Sequence, residues 1–145
     1  MSRKTAREDT FKLLFATEVG NHMPTNALDT YFAEDIRDKS QFSLDAQSEE
    51  DKQYIRSTVA AVHENFSLLD QIITENSIKW DVKRLSKVSL TLLRLAIYEI
   101  KFCPKVPVAV AIAEAVRLAK IYGTEKDAAF INGILGEFAK KCGRE

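Results

Sequence analysis

Two histidines, two cysteines, three prolines and five glycines are all that 145 residues hold of these types, and each shortage removes a class of explanation. Cys103 and Cys142 lie far apart, with neither a second cysteine nor a histidine at ligand spacing. A disulfide framework and a zinc site are therefore not expected, and a reduced, cytoplasmic setting is. His22 and His63 stand beside no nucleophile motif, so a Ser, Thr or Cys nucleophile lacks a base, and no enzymatic activity is expected. The glycines compose neither the Walker nor the dinucleotide-binding pattern, which leaves no expected cofactor. No uncharged run approaches the roughly 20 residues that cross a bilayer. The first dozen residues are charged rather than apolar, and a secretory signal is not expected.

Net charge is missing too, since 21 basic residues balance 21 acidic ones. The distribution is uneven, however. Residues 1–75 hold eight Lys and Arg against fourteen Asp and Glu, whereas residues 76–145 hold thirteen against seven. Such a gradient steers anionic partners toward the C-terminal half, or simply gives two solvated faces of opposite sign.

What is present is helical periodicity along almost the whole chain, without sustained period-two alternation. Residues 5–19 place Phe11, Leu14 and Phe15 near one face, and Gly20 with Asn21 supplies a stop. Pro24 and Thr25 introduce a shorter helix through Leu28 and Phe32, followed by a polar loop over 34–47. Ser48 and Asp51 signal a helix whose stripe is Tyr54, Ile55, Val59, Val62 and Phe66, and Ser67 with Asp70 restarts the chain into another. Asp81 is placed to cap a long apolar helix over 82–102, the expected centre of the fold, which Pro104 ends. Pro107 opens an alanine-rich helix over 108–122 that Gly123 ends, and a last helix spans about 125–141. The spacing thus predicts an all-α, compact bundle of about seven helices forming a single domain over 1–145.

Two features invite a ligand. Gly133 and Gly136 form a G-x-x-G, but within a predicted helix, where it denotes close helix packing rather than an RNA clamp. Arg3, Lys4 and Arg7 cluster at the chain start, with Arg3 and Arg7 on one face and Lys12 beyond. Such a patch neutralises phosphates without reading sequence, and Phe15 further along adds a surface for an unpaired base.

The C-terminal half carries a denser signal. Leu93-Arg94-Leu95-Ala96-Ile97-Tyr98-Glu99 is followed by Val106-Pro107, Val110-Ala111-Ile112, Glu114-Ala115 and Leu118-Ala119-Lys120. Tyr122-Gly123 and Phe130-Ile131-Asn132-Gly133-Ile134-Leu135 complete the series. This order resembles the NusB family of bacterial transcription antitermination factors, and Ala6-Arg7-Glu8 with Leu14-Phe15 resembles that family's opening helix. The likeness is specific over about 92–135 and weak over 20–80.

The resemblance implies a NusB-like helical fold and a non-enzymatic role. It also implies pairing with the ribosomal protein NusE to bind single-stranded boxA-type RNA within the RNA polymerase antitermination complex. Its RNA contacts fall on Arg3, Lys4, Arg7, Phe15 and Phe130, and its protein partner along the face of Lys83, Lys87 and Arg94. Arg94, Tyr98, Glu99 and Glu114 are expected to share a polar network between the last helices. The chain departs from the family in having Ala113 where asparagine is common, and in a less arginine-rich start, which implies weaker RNA affinity without the partner. A homodimer is a further expected use of an apolar face. The rival reading is an adaptor that assembles transcription or ribosomal components with no direct RNA contact, to which the acidic middle segment is suited.

Overall fold

Stripes of apolar residues three and four apart become helices because burial of one face offsets the entropy of ordering the chain. A computed structural model describes residues 3–20, 49–77 and 85–143, and six α-helices account for most of the described residues. They are α1 (Arg3–Gly20), α2 (Glu49–Glu64), α3 (Phe66–Glu75), α4 (Lys87–Phe102), α5 (Val108–Tyr122) and α6 (Glu125–Cys142). The helix expected at 24–32, the loop at 34–47, the Asp81 cap and Lys83 lie outside the described residues. The chain divides into two compact units, residues 1–64 and 65–145.

In the first unit α1 packs on α2. Arg3 reaches Asp51 near the start of both helices, and Thr17 meets His63 near the end of both, so the pair runs parallel. Phe11, Leu13 and Leu14 of α1 and Ile55, Val59 and Val62 of α2 are buried. Thr10 and Thr17 are buried as well, and each hydroxyl is satisfied by donating to a carbonyl of its own helix, Ala6 at 2.8 Å and Leu14 at 2.7 Å. Because the Thr17 proton is committed to Leu14, the 3.1 Å contact with His63 requires Nε2 of the imidazole to donate.

In the second unit α4 packs against α3, α5 and α6, which confirms it as the central helix. Residues 91–97 are buried without interruption, and Leu92, Leu93, Leu95, Ile97 and Ile100 are shut off from solvent. Each such side chain contributes about 1.5–3 kcal/mol. α5 follows Pro107 at 108, as its alanine-rich sequence predicts. Its Ala111, Ala115 and Ala119 are buried, small residues that let neighbouring backbones come close.

Two helix ends and one glycine differ from the sequence reading. α3 begins after Asn65, whose carbonyl accepts from the Leu69 amide at 2.9 Å, and Ser67 lies inside the helix. α4 begins at Lys87 rather than at 82, because Ser86 takes extended backbone angles and its hydroxyl accepts from the Ser89 amide at 3.0 Å. Gly136 was expected to serve close packing, yet among the described residues a methyl group there would meet no atom within 4 Å.

The N-termini of α4 and α6 are tied together by one carboxylate. Thr124 caps α6, and Asp127 returns the favour by accepting from the Thr124 amide at 2.8 Å and its hydroxyl at 3.0 Å through Oδ2. Its other oxygen accepts from Ser86 at 2.8 Å and Ser89 at 2.7 Å on α4. Burial pushes the Asp127 carboxyl up, but bonds from Ser89, Ser86 and Thr124 outweigh it and hold the group below its ordinary 3.8. Gly123 makes the arrangement possible, since a Cβ there would stand 2.6 Å from Asp127 Oδ2 and 3.0 Å from the Ala119 carbonyl.

Asp127→Asn is expected to cost about 2–3 kcal/mol, read by urea unfolding at neutral pH, because four donors lose a charged acceptor. The carboxyl titrates lower in the folded chain than in the unfolded one. Its stabilisation is thus complete above the unfolded value and lost as pH falls toward the folded one, so the variant should show a shallower loss of stability below about pH 4. Gly136→Ala should raise stability by about 0.5–1 kcal/mol in the same assay, since a helix interior gains a better helix former in open space.

Candidate nucleic-acid interface

A helix exposes only the row of side chains its packing leaves uncovered, and on α1 that row is Lys4, Glu8, Lys12 and Ala16. Lys4 is exposed, and Lys12 lies 4.0 Å from Glu8. Arg3 stands at the edge of the row, its side chain 45% exposed. Its Nε donates to Asp51 Oδ1 at 3.3 Å and its guanidinium lies 4.4 Å from the centre of the Tyr54 ring. Arg7, expected beside Arg3 on the solvent face, is only 5% exposed. The reason is geometric. Ala6, Asp9, Thr10, Phe11, Leu13, Leu14 and Thr17 are all buried, so little of the helix circumference remains for solvent, and position 7 falls outside that remnant. Phe15 is half-buried, with its ring stacked on Phe11 at 5.7 Å between centroids and 30° between planes.

In the second unit Phe130 is half-buried on α6, and Lys126, one turn earlier and exposed, holds its ammonium 5.5 Å from the ring centre. Lys126 escaped the sequence reading because a helix's first turn ordinarily favours acidic residues, and the available signal was its four-residue spacing from Phe130. Lys87 is exposed at the first position of α4. Arg94 is not exposed. Its guanidinium makes a two-pronged bond to Asp70 of α3, 2.8 Å and 3.0 Å, and covers the Phe66 ring at 4.1 Å. Of the residues expected to share a network with it, Glu114 accepts from Arg117 at 2.9 Å on its own helix, and Glu99 is buried. Burial pushes the Tyr98 phenol up to about 12, helped by Cys103 beside it, so this hydroxyl keeps its proton at neutral pH.

The two units therefore offer cations and half-exposed rings of the kind that grip a strand by phosphate and base. In the first unit α1 supplies Arg3 and Lys4 at its start and Phe15 about three turns on, and in the second α6 supplies Lys126 and Phe130. Among the described residues no group of three or more His, Cys, Asp or Glu is arranged to hold a metal ion, and no helix is long and apolar enough to cross a membrane.

Comparison with known proteins follows the same line. The NusB family model matches residues 4–140. The transcription antitermination protein NusB of Carboxydothermus hydrogenoformans is 42% identical over 140 residues, covering 97% of this chain and 94% of that protein. Among solved structures, NusB of T. maritima superposes with a TM-score of 0.81 at 34% identity, covering 97% of this chain and 92% of the other. A structure of antitermination factors NusB and NusE with double-stranded RNA superposes at 0.79, covering 96% of each chain. At 22% identity it speaks to the fold alone.

The Arg94 arrangement can be dissected. Asp70 has a side chain 45% exposed and is easily resolvated, whereas that of Arg94 is 8% exposed and packs on Phe66. Asp70→Asn should nonetheless cost about 1–3 kcal/mol, because the guanidinium that loses its charged acceptor is the buried one. Arg94→Ala should cost about 2 kcal/mol through lost packing, and Arg94→Met should recover most of it, all read by chemical denaturation.

Proposed function

We propose, since the chain belongs to the NusB family, that it is a transcription antitermination factor that works by binding single-stranded boxA-type RNA together with the ribosomal protein NusE. The observation that carries this reading is the span of the relationship. The family match covers residues 4–140, and a relative named for antitermination is 42% identical over nearly the whole chain. Residues 1–145 are read as one functional domain, active in the cytoplasm and within the RNA polymerase antitermination complex. A homodimer is the state proposed for the chain when no partner is present.

The chemistry assigned to each contact follows from its exposure. Arg3 and Lys4 reach phosphates directly, and Phe15 and Phe130 receive bases on their open faces. Arg7, buried, adds positive potential from beneath rather than a contact of its own. On the partner side Lys87 is the solvent-facing contact. Arg94 shapes the surface by fixing Asp70 and Phe66, and Lys83 completes the assignment. NusE and RNA are both present in a solved complex of the same fold, which supports taking them as a pair.

The double variant Arg3→Ala/Lys4→Ala should weaken boxA RNA binding about tenfold at moderate salt, with little sequence dependence. It should also lower the slope of log affinity against log salt by about 1.4, or about 0.7 for each phosphate lost. Gel-shift titration with and without NusE reads both quantities. Unchanged affinity and slope would remove the α1 patch from the interface. A wild-type chain that adds nothing to NusE's own RNA affinity would instead favour the adaptor reading.

A further inference from the structure

Lys126 occupies the second position of α6, between Glu125 and Asp127, where a cation opposes the helix dipole. A residue that opposes the field of its own helix end directs attention to what it does outside the fold. The helix start itself is not the attraction, because the Thr124 hydroxyl accepts from the Asp127 amide at 3.1 Å and Asp127 takes the Thr124 amide, so the capping groups answer one another. What distinguishes Lys126 is its ring. The ammonium is exposed and sits 5.5 Å from the centre of Phe130, close enough to be held above that face by cation–π attraction. Helical spacing puts Ala129 and Gly133 on the same side of α6, the first exposed and the second half-buried, and neither is large enough to cover the ring.

We propose that Lys126 and Phe130 form a clamp for a single RNA nucleotide: a base stacks on the open part of the Phe130 ring while the Lys126 ammonium takes that nucleotide's phosphate. This rests on the RNA-binding reading above and adds to it a residue and a division of labour. A lysine is a point charge on a flexible stem and swings from ring to phosphate without rebuilding the helix. Stacking tolerates any base, and the phosphate contact is blind to sequence, so the clamp fixes the strand's position and leaves base discrimination to other contacts.

The test uses the full chain with NusE and a fluorescein-labelled boxA RNA, titrated over a range of salt concentrations. Lys126→Met should weaken binding about fivefold and lower the log–log salt slope by about 0.7, while Lys126→Arg keeps both. Phe130→Leu should weaken binding at every salt concentration about equally, leaving the slope alone. The thermal midpoint of Lys126→Met should equal or exceed that of the parent, since a cation leaves the helix's positive end. Wild-type affinity and slope in Lys126→Met, and likewise in Lys126→Gln, overturn the clamp while the RNA-binding reading stands. Absence of any binding by the parent, with or without NusE, defeats that reading itself.

Discussion

The start of the central helix depends on a carboxylate that belongs to another helix. Asp127 accepts two hydrogen bonds across its own cap and two from the serines at the head of α4, so two helix N-termini share one negative charge. Electrostatically this is favourable twice over, because each terminus gathers partial positive charge from unpaired amides. Sterically it is demanding. The approach leaves no room for a side chain at Gly123, and it fixes how α5 hands the chain to α6. The consequence for function is positional: Phe130 lies one turn beyond Asp127 on the same helix, so the ring proposed to meet RNA is held by a rigid element rather than a loop.

Cations placed over aromatic rings recur, and exposure decides what each pair does. Arg94 over Phe66 is buried and its guanidinium is neutralised by Asp70, so it joins α3 to α4 and has little left to offer a ligand. Lys126 over Phe130 has the same chemistry on an open surface. Arg3 over Tyr54 falls between, half its side chain in solvent and half serving the α1–α2 pairing. The same sequence signal, a basic residue near an aromatic, thus marks structure or site according to the circumference its helix has to spare.

Legibility followed physical range. Helices were readable from periodicity because burial imposes it locally: α5 and α6 ended within a residue of where their alanine-rich and Phe130–Phe138 stripes place them, and α4 proved central as its all-round apolarity requires. Its start was not readable. Asp81 and Ser86 are both good caps by type, and what makes Ser86 the cap is its bond to Asp127, 41 residues away. Arg7 was misplaced for the complementary reason, that polar Asp9, Thr10 and Thr17 are buried and widen the covered face beyond what apolar residues alone indicate. Asp70 looked like a helix-start residue, and only the tertiary fold discloses that it receives Arg94.

The ion pair between Arg3 and Asp51 bears on selectivity. In the unbound chain the Asp51 carboxylate occupies the coordination that a phosphate oxygen would otherwise take on Arg3. It acts as an internal stand-in for the ligand. Any anion that approaches must compete with a carboxylate already in place and already desolvated, Asp51 being buried. An isolated phosphate gains little by that exchange, whereas a strand that also engages Lys4 and a neighbouring ring brings enough additional attraction to displace it. If Arg3 meets a phosphate as proposed, built-in competition of this kind lowers affinity for scattered anions and favours a strand that engages several contacts at once.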